Sequence, residues 1–549
     1  MTRMLRGLLF GCGILCMVVF ACAASLTAQS RPRRSSNPHH DAGAAKPAER
    51  ADIARFRRRV DAALSQDGAA NGLWGILVTD SATGEVLYDR SSADHFTPAS
   101  NAKLFTTALA LATLGPDYRV RTTIATSGTV DANGLLDGDL VLIGRGDANL
   151  SNRNFPYEKK VERDGPPEKI LAELADAVAA RGVKEISGDV VADDSLFQLE
   201  RSPTGWTVDD ILWPYGAAVS AIAVNDNVFT LDVRPGALAG DPATTSLNPV
   251  SDFYTIENLI RTGPRGSEQK LSVVREPGSR LIRVSGTMPE GGPARVLTIA
   301  VEEPAEYAAN LLARLLETRG IHVHGVARAL HAIVVNDLAI SPANHPTNTI
   351  LAEHTSLPLA EDIRLTNKNS ENLHAELQLL LAAHEKAGAT NYEQAEKYAS
   401  EFFRAAAIAD GDVALSDGSG LSRRDLVTPR AVVQLLRYAA SQPWGELYRS
   451  SLPVAGEDGT LTDRMKNTSA AGRIFAKTGT FEHVNALSGY ATTLSGAHLT
   501  FSILGNNNNF PAQTVDGVLD AIAVAMVEEL GPAPVVNRRS KGCGGSAGC

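Results

Sequence analysis

The segment Thr97-Pro-Ala-Ser-Asn-Ala-Lys-Leu-Phe105 runs into a helical stretch, Thr107–Leu114, and contains the pair Ser100 and Lys103. Pro98 favours a helix that begins close to Ser100. Residues three apart on a helix share one face, so the serine hydroxyl and the lysine amine lie within reach of each other. Backbone N–H groups at the start of the helix also favour negative charge that develops there. The segment therefore predicts a nucleophilic serine beside a basic side chain.

Two further short motifs follow in order, Ser370-Glu-Asn372 and Lys477-Thr-Gly479. The Ser-x-x-Lys pattern occurs again at Ser267–Lys270, but that copy follows Pro264-Arg-Gly266 and precedes an alternating strand. A strand would point the two side chains apart, so we interpret the second copy as a surface turn. The order and context of the three motifs, rather than any single motif, support a catalytic interpretation.

Lysine can replace histidine as the base of a serine nucleophile. A serine hydroxyl is a poor nucleophile until a base takes its proton. A lysine amine can be that base if burial or nearby positive charge keeps it neutral near pH 7. Convergence of Lys103 and Lys477 in one pocket would provide both conditions. No His–Asp pair is then needed to activate Ser100.

The motif set resembles that of the penicillin-recognising serine DD-peptidases and β-lactamases. Glu371 departs from the Ser-Asp-Asn pattern, and a free middle position fits the low-molecular-mass DD-peptidases. The long interval between Ser100 and Ser370 narrows the resemblance to the D-alanyl-D-alanine carboxypeptidase/endopeptidase family, the class C low-molecular-mass penicillin-binding proteins (peptidase family S13). Asp417-Gly-Ser-Gly-Leu-Ser422 and Gly144-Arg-Gly-Asp147 resemble further segments of that family.

This resemblance covers roughly residues 51–531 and implies an α+β fold. The expected catalytic domain is of the penicillin-binding-protein/β-lactamase-like transpeptidase type, an antiparallel sheet with helices on both sides. Helical and strand patterns at both ends of the body, with short Gly- and Pro-punctuated strands between them, agree with this expectation. We expect a discontinuous catalytic domain formed by 51–122 and 350–531. A large β-rich inserted region, 123–349, would lie between the Ser-x-x-Lys and Ser-x-Asn motifs.

The resemblance also implies a catalytic role for four side chains. Ser100 would attack the carbonyl of the penultimate D-Ala and form an acyl-enzyme, while Lys103 takes the serine proton. Ser370 would relay a proton to the departing amine. Asn372 would hold Lys103 and the substrate amide, and water would then hydrolyse the ester.

The third motif is expected to bind the substrate. Lys477 and Thr478 would bind the terminal carboxylate, and Gly479 would let the substrate backbone lie along the strand edge. Backbone N–H groups of Ser100 and Thr480 would form the oxyanion hole.

A further acidic position resembles a subsite of some family members. Trp206-Thr-Val-Asp209 is similar to a segment that contacts the amino end of a diaminopimelate side chain, so Asp209 could supply that contact. The alternative is a surface carboxylate beside a core tryptophan.

Asp417 and Ser419 are expected to shape a loop that borders the site. His322-Val-His324 has a spacing that a metal could use, but without further ligand motifs we expect exposed strand histidines, no metal and no cofactor.

Composition narrows the class of partner. The chain has 549 residues, 44% of them hydrophobic and 21% charged, and a formal net charge of −10. This is normal for a soluble protein of several folding units and argues against nucleic acid as a partner. The expected partners are peptidoglycan stem peptides and cross-links, with β-lactam antibiotics as covalent inhibitors.

The five cysteines of the chain lie at its two ends: Cys12, Cys16, Cys22, Cys543 and Cys549. The body between them therefore has no disulfide and no thiolate site.

The N-terminus resembles an export signal. Arg3 and Arg6 precede the uncharged, mostly apolar stretch Gly7–Ala28, so residues 1–28 predict a secretory signal peptide. A retained membrane anchor and lipid attachment at Cys22 are the alternatives. All three place the body outside the cytoplasm, in the periplasm or cell envelope, with membrane association in the two alternatives.

Two further end segments are expected to lack a fixed structure. Residues 29–50 are rich in Pro, Ser, Ala and Arg and predict a linker. Residues 532–549 predict a flexible tail, in which Cys543 and Cys549 could close a small loop in an oxidising compartment.

Two rival functions remain open at this point. A catalytically inactive cell-wall-binding protein would use block 123–349 as its functional part. A serine β-lactamase would need an efficient deacylating water, for which the sequence offers no identified base. The balance of carboxypeptidase and endopeptidase action and the oligomeric state are also left open.

Overall fold

The structure, a computed structural model, describes residues 50–66, 69–335, 338–340 and 349–531. The predicted signal peptide 1–28, nearly all of the linker 29–50 and the tail 532–549 with its two cysteines lie outside the described residues. Among the residues that are described, no helix combines the length and apolar character needed to cross a bilayer.

The described ranges contain ten α-helices. They are α1 (Ala51–Leu64), α2 (Ala102–Leu114), α3 (Lys169–Ala180), α4 (Pro304–Glu317), α5 (Leu359–Asn369), α6 (Asn372–Ala387), α7 (Tyr392–Ala405), α8 (Pro429–Ala440), α9 (Gly445–Ser451) and α10 (Ala512–Glu529).

The strands of the same ranges alternate with these helices along the chain. They are β1 (Leu73–Asp80), β2 (Val86–Arg90), β3 (Arg121–Thr126), β4 (Thr129–Val130), β5 (Leu135–Asp137), β6 (Leu140–Ile143), β7 (Asp147–Leu150), β8 (Glu185–Ile186), β9 (Val190–Gln198), β10 (Ile222–Val224), β11 (Val228–Arg234), β12 (Thr244–Asn248), β13 (Thr255–Gly263), β14 (Lys270–Val274), β15 (Leu281–Pro289), β16 (Arg295–Ala300), β17 (His322–Val323), β18 (Ala327–Val335), β19 (Leu338–Ile340), β20 (Thr349–Thr355), β21 (Val413–Ala414), β22 (Leu426–Val427), β23 (Ile474–Phe481), β24 (Val484–Thr492) and β25 (His498–Asn506).

A five-stranded antiparallel sheet is built from both ends of the body. Its strand order is β2-β1-β25-β24-β23. The register of β1 against β25 places Ile76 opposite Ile503, so the first and last strands of the body are neighbours. Strand β23, which carries the Lys-Thr-Gly motif, is an edge strand of this sheet, and on its outer side only its first residues, 474–476, bond to residues 453–455 among those that the structure describes.

Helices cover both faces of this sheet because successive side chains of a strand point to opposite faces. On one face, Ile76 and Phe501 belong to a core shared with α1 and α10. On the other face, Tyr490 and Leu504 belong to a core shared with α2 and helices α5 to α8. Helix α2 lies within this second layer and is buried on nearly all sides, which explains its almost continuous run of apolar residues. This burial fixes the first motif relative to the sheet.

The region between α2 and α5 forms a separate set of sheets. The largest has six strands in the order β19-β18-β9-β6-β3-β20, and its core is shared with α3 and α4. The predicted limits of the inserted block, 123 and 349, fall in β3 and β20, which pair with each other antiparallel. The α+β architecture with a helix-covered antiparallel sheet and a β-rich insertion agrees with the expectation from sequence.

Candidate active site

Ser100 lies in a single turn of 3-10 helix, Ala99–Asn101, which leads directly into α2. Ala99 has a φ of 46°, in the left-handed region that non-glycine residues rarely adopt. The Asn101 amide donates to the backbone carbonyl of Lys477 at 3.0 Å and thereby fastens this turn to β23. The nucleophile candidate is therefore held between a buried helix and the edge strand.

Lys103 Nζ lies within hydrogen-bond distance of three oxygen atoms. Its Nζ donates to Ser100 Oγ at 2.9 Å, to Asn372 Oδ1 at 2.6 Å and to the carbonyl of Ser419 at 2.8 Å. The side chain is 0% exposed. The spacing argument from sequence thus placed the amine and the hydroxyl correctly within hydrogen-bond distance.

Lys477 lies close to Lys103 and is also 0% exposed. Its Nζ donates to Ser370 Oγ at 2.9 Å and to the carbonyl of Thr478 at 3.1 Å. Ser370 has φ 63° and ψ 39°, a left-handed conformation at the C-terminal end of α5. The second motif therefore connects the two lysines, with Ser370 on Lys477 and Asn372 on Lys103.

Burial favours the neutral form of both amines. It lowers the pKa of Lys103 to about 8, although the carboxyl groups of Asp417 and Glu376 act in the opposite direction. Burial, and then the charge of Lys103, lower the pKa of Lys477 well below its ordinary value. A buried amine with a lowered pKa suits the role of base that was predicted for Lys103, without a histidine.

Asn372 is oriented by contacts on both sides of its amide. While Oδ1 accepts from Lys103, Nδ2 donates to the backbone carbonyl of Tyr215 at 2.7 Å. Tyr215 belongs to the inserted region, so that region contributes directly to the site. This contact could not be predicted from the sequence, because any residue type supplies a backbone carbonyl.

The loop that contains Ser419 is shaped around Asp417. The carboxylate of Asp417 accepts from the backbone N–H of Gly420 at 2.7 Å and of Ser422 at 2.8 Å, and from Trp206 Nε1 at 2.8 Å. This loop was expected to border the site. Its most direct contribution, the carbonyl of Ser419 on Lys103, was not predicted.

Glu376 supports the same loop from α6, four residues after Asn372. Its carboxyl oxygens accept from the backbone N–H of Gly418 at 2.9 Å and of Ser419 at 2.8 Å. Burial and the nearby charge of Asp417 raise the pKa of Glu376 to about 8. The sequence indication for this residue is a single acidic side chain within an otherwise mostly apolar helical stretch.

Gly479 is required by the close approach of β23 to the turn that carries Ser100. A Cβ at this position would lie 2.7 Å from the carbonyl oxygen of Pro98 and 3.1 Å from the backbone nitrogen of Ser100. The expected role of Gly479, space for a substrate backbone, stays a prediction. The structure adds a second requirement, space for the nucleophile's own backbone.

These groups open onto a cleft of about 730 Å³. Five of the site residues predicted from sequence line it, while Lys103 and Lys477 are buried: the five are Ser100, Asp209, Ser370, Asn372 and Thr480. The lining residues are Ser100, Thr207, Asp209, Asp210, Tyr215, Ser370, Asn372, Gly420, Leu421, Arg423, Thr480, Phe481 and Glu482.

The cleft wall formed by the inserted region carries two aspartates in different states. Asp210 is paired with Arg423 at 2.8 Å and accepts from the backbone and hydroxyl of Thr207. Asp209 is exposed on the cleft. Arg423 also packs its guanidinium over the ring of Phe481, 5.1 Å from the centroid. Of these two aspartates, Asp209 is therefore the one more accessible to a bound molecule, and Arg423 is a cleft residue that was not predicted from the sequence.

The described part of the chain contains no group of three or more His, Cys, Asp or Glu side chains arranged to hold a metal ion. His322 and His324 instead pair with Glu317 at 3.3 Å and Glu185 at 3.0 Å. Both histidines are exposed.

A family model and the curated relatives of this chain both point to D-Ala-D-Ala carboxypeptidases. The family model for the D-Ala-D-Ala carboxypeptidase 3 (S13) family matches residues 56–526. A D-alanyl-D-alanine carboxypeptidase of Actinomadura sp. (strain R39) is 36% identical over 494 residues, which cover 88% of this chain and 86% of that relative. The DacB carboxypeptidase of Haemophilus influenzae is 24% identical over 433 residues, or 78% of this chain and 84% of its own length.

Solved structures agree with this relationship at the level of fold. The crystal structure of penicillin binding protein 4 (dacB) from Haemophilus influenzae superposes with a TM-score of 0.70 at 22% identity. The match covers 86% of this chain and 98% of that chain. The expected penicillin-binding-protein type of fold is therefore confirmed.

We predict that Gly479→Ala lowers stability, because its methyl group would separate β23 from the Ser100 turn. Forcing extra volume into a packed site costs about 1–3 kcal/mol. Thermal unfolding should show a lower midpoint for this variant. The matched control is Gly517→Ala in α10, where a Cβ meets nothing within 4 Å. It should be neutral or stabilise by up to about 1 kcal/mol. Equal midpoints for the two variants would contradict the steric argument.

Proposed function

From the premise that this chain belongs to the D-Ala-D-Ala carboxypeptidase 3 (S13) family, we propose that Ser100 is its acylated residue. The protein is a serine-type D-Ala-D-Ala carboxypeptidase that acts on peptidoglycan stem peptides. The observation that carries the residue assignment is the 2.9 Å hydrogen bond between Ser100 Oγ and the buried Nζ of Lys103. Cleavage of cross-links by DD-endopeptidase action would be the same acyl transfer with a larger leaving amine.

In the proposed first step, neutral Lys103 takes the proton of Ser100 Oγ as that oxygen attacks the carbonyl of the penultimate D-Ala. The backbone N–H groups of Ser100 and Thr480 would stabilise the oxyanion. Collapse of the intermediate leaves an ester on Ser100. Ser370 would donate a proton to the departing amine and recover one from the lysine pair, and water then releases the acyl group.

Lys477 and Thr478 are proposed to bind the terminal carboxylate. An incoming carboxylate favours the protonated form of Lys477, and positive charge on Lys477 disfavours a proton on Lys103. Substrate binding would therefore help to keep the base neutral. Thr478 is supported by Thr460, whose hydroxyl lies 2.8 Å from its own.

The location of the protein follows from its substrate. Peptidoglycan lies outside the cytoplasmic membrane, so the protein belongs to the cell envelope. We propose that residues 1–28 direct export and that the mature body is periplasmic or envelope-bound. Retention of the N-terminus as an anchor or lipidation at Cys22 would add membrane association.

We predict that benzylpenicillin forms one stable covalent adduct, because slow hydrolysis of the acyl-enzyme is expected of a DD-peptidase. Intact-mass analysis should detect the adduct on the wild type and none on Ser100→Ala. Ser267→Ala, in the second Ser-x-x-Lys pattern, is the matched control and should be labelled like the wild type. Its serine lies in the turn before β14, away from the lysine cluster.

Each alternative function has its own outcome in this experiment. An adduct on Ser100→Ala would contradict the assignment of the nucleophile. Rapid consumption of penicillin without accumulation would indicate a β-lactamase. Intact penicillin and no adduct would indicate an inactive wall-binding protein.

We predict that the acylation rate constant rises with pH. The base must be neutral, and burial lowers the pKa of Lys103 to about 8. With benzylpenicillin well below saturation, the second-order acylation rate constant reports the free enzyme and should increase about tenfold from pH 7 to pH 9 and then level off. Stopped-flow measurement of acylation, with circular dichroism as a control for folding at each pH, tests this. A flat or falling profile would exclude Lys103 as the base.

We predict that Asp209 contributes to selection of the stem-peptide side chain. Asp209→Asn should reduce kcat/KM about fivefold for a peptide with a free side-chain amine, since an exposed ion pair is worth up to about 1 kcal/mol. The N-acetylated peptide and penicillin acylation should be unaffected. Asp252→Asn, at an exposed position of the inserted region outside the cleft, is the control. Equal effects on both peptides would assign Asp209 to the surface.

A further inference from the structure

The Ser370–Asn372 connection between α5 and α6 holds two proposed catalytic side chains in a conformation that needs support. Ser370 has left-handed backbone angles. Such a conformation in a non-glycine residue persists only where the surrounding structure enforces it. Glu371, the residue between Ser370 and Asn372, is where the inserted region contacts this connection.

Arg153, in the segment that follows β7, makes this contact. Its Nη2 donates to Glu371 Oε1 at 2.8 Å and to Asp226 Oδ2 at 2.7 Å. Its Nη1 lies 3.0 Å from His374 Nε2. The Arg153 side chain is 3% exposed, whereas the Glu371 side chain is 29% exposed, so a buried guanidinium reaches a partly exposed carboxylate.

The guanidinium is itself held in place. Asp226 also accepts from Arg163 Nη2 at 2.8 Å. His374 is hydrogen-bonded through Nδ1 to Asp362 Oδ1 of α5 at 2.6 Å. Arg153 is therefore fixed by the inserted region through Asp226, and His374 connects Asp226 to Asp362 of α5, with its Nε2 3.2 Å from Asp226 Oδ1. Glu371 is the remaining contact, one residue from Ser370 on one side and from Asn372 on the other.

We propose that Arg153 is a positioning residue for the reaction. It holds Glu371 and, through the backbone on either side, sets Ser370 Oγ against Lys477 and Asn372 Oδ1 against Lys103. This inference rests on the proposed roles of Ser370 and Asn372. It assigns the inserted region a part in catalysis besides any binding of the wall.

Arg153 differs from the surface ion pairs of the same region. Arg283 and Glu257, for example, are 2.7 Å apart, but both side chains are largely exposed, and such pairs contribute little. The contact from Arg153 is buried and reaches a connection whose two neighbouring side chains contact the lysines. A small displacement of a reacting group can reduce a rate by about 100-fold, so this support affects the rate more than the binding of substrate.

The test compares Arg153→Gln, Arg153→Lys, Glu371→Gln and Glu371→Ala in the full chain with benzylpenicillin. The expected result is an acylation rate constant reduced about 10- to 100-fold in Arg153→Gln and Glu371→Ala, with noncovalent affinity within about twofold of the wild type. Arg153→Lys and Glu371→Gln keep a donor and an acceptor respectively and should recover part of the rate. The double variant Arg153→Gln/Glu371→Gln should be no slower than the slower of its two single variants.

The matched control is Arg464→Gln. Arg464 is 15% exposed and pairs with Asp516 at 3.2 Å and Asp520 at 2.7 Å, both on α10. It should lose thermal stability and acylate at the wild-type rate. Glu371 is 29% exposed, so its variants test the proposal even if Arg153→Gln fails to fold.

Three results would overturn the proposal. The first is a wild-type acylation rate in the Glu371 variants. The second is additive losses of rate in the double variant. The third is an equal loss of rate in Arg464→Gln, which would show that lower stability alone slows acylation. If the wild-type protein forms no covalent adduct with benzylpenicillin, the proposed function itself is contradicted. The two failures are thus distinguishable.

Discussion

Two lysine amines buried side by side are the constraint on which the rest of the site depends. Removing an ammonium from water is costly unless every hydrogen finds an acceptor. Lys103 receives three acceptors from three separate segments, and Lys477 receives two. The turn before α2, the connection between α5 and α6, the loop at Ser419 and strand β23 must therefore meet at one point. Their meeting is also what lowers the pKa of both amines and makes a base available.

Much of this arrangement could be predicted from sequence, for physical reasons that differ between residues. The contact of Ser100 with Lys103 follows from helical spacing alone. The contact of Ser370 with Lys477 joins positions far apart in the chain, and only the order of the motifs and the family resemblance indicated it. The helix and strand patterns at both ends of the body likewise predicted the central sheet, because their apolar periodicity matches the observed faces.

The contacts that escaped prediction share a different property. The carbonyls of Tyr215 and Ser419 carry no residue-specific mark, since every residue has one. Arg153 and Glu376 are charged residues whose burial depends on distant segments that local pattern cannot place. Both became visible only once the inserted region and the helices were seen together. Glu371 is an example: the Ser-x-Asn motif leaves the residue type at this position unspecified, and its contact with Arg153 depends on the inserted region.

The pairing of β1 with β25 also determines when this enzyme can first exist during its synthesis. Strand β1, which comes before Ser100 in the chain, has one of its two neighbours at the far end of the body, and Lys477 is made only shortly before that neighbour. A growing chain therefore holds Ser100 for most of its synthesis without the sheet that positions it. Contacts of such long sequence separation form late and slowly. The site of the proposed nucleophile is consequently assembled only when nearly the whole body is present, so incomplete chains would lack a formed catalytic centre.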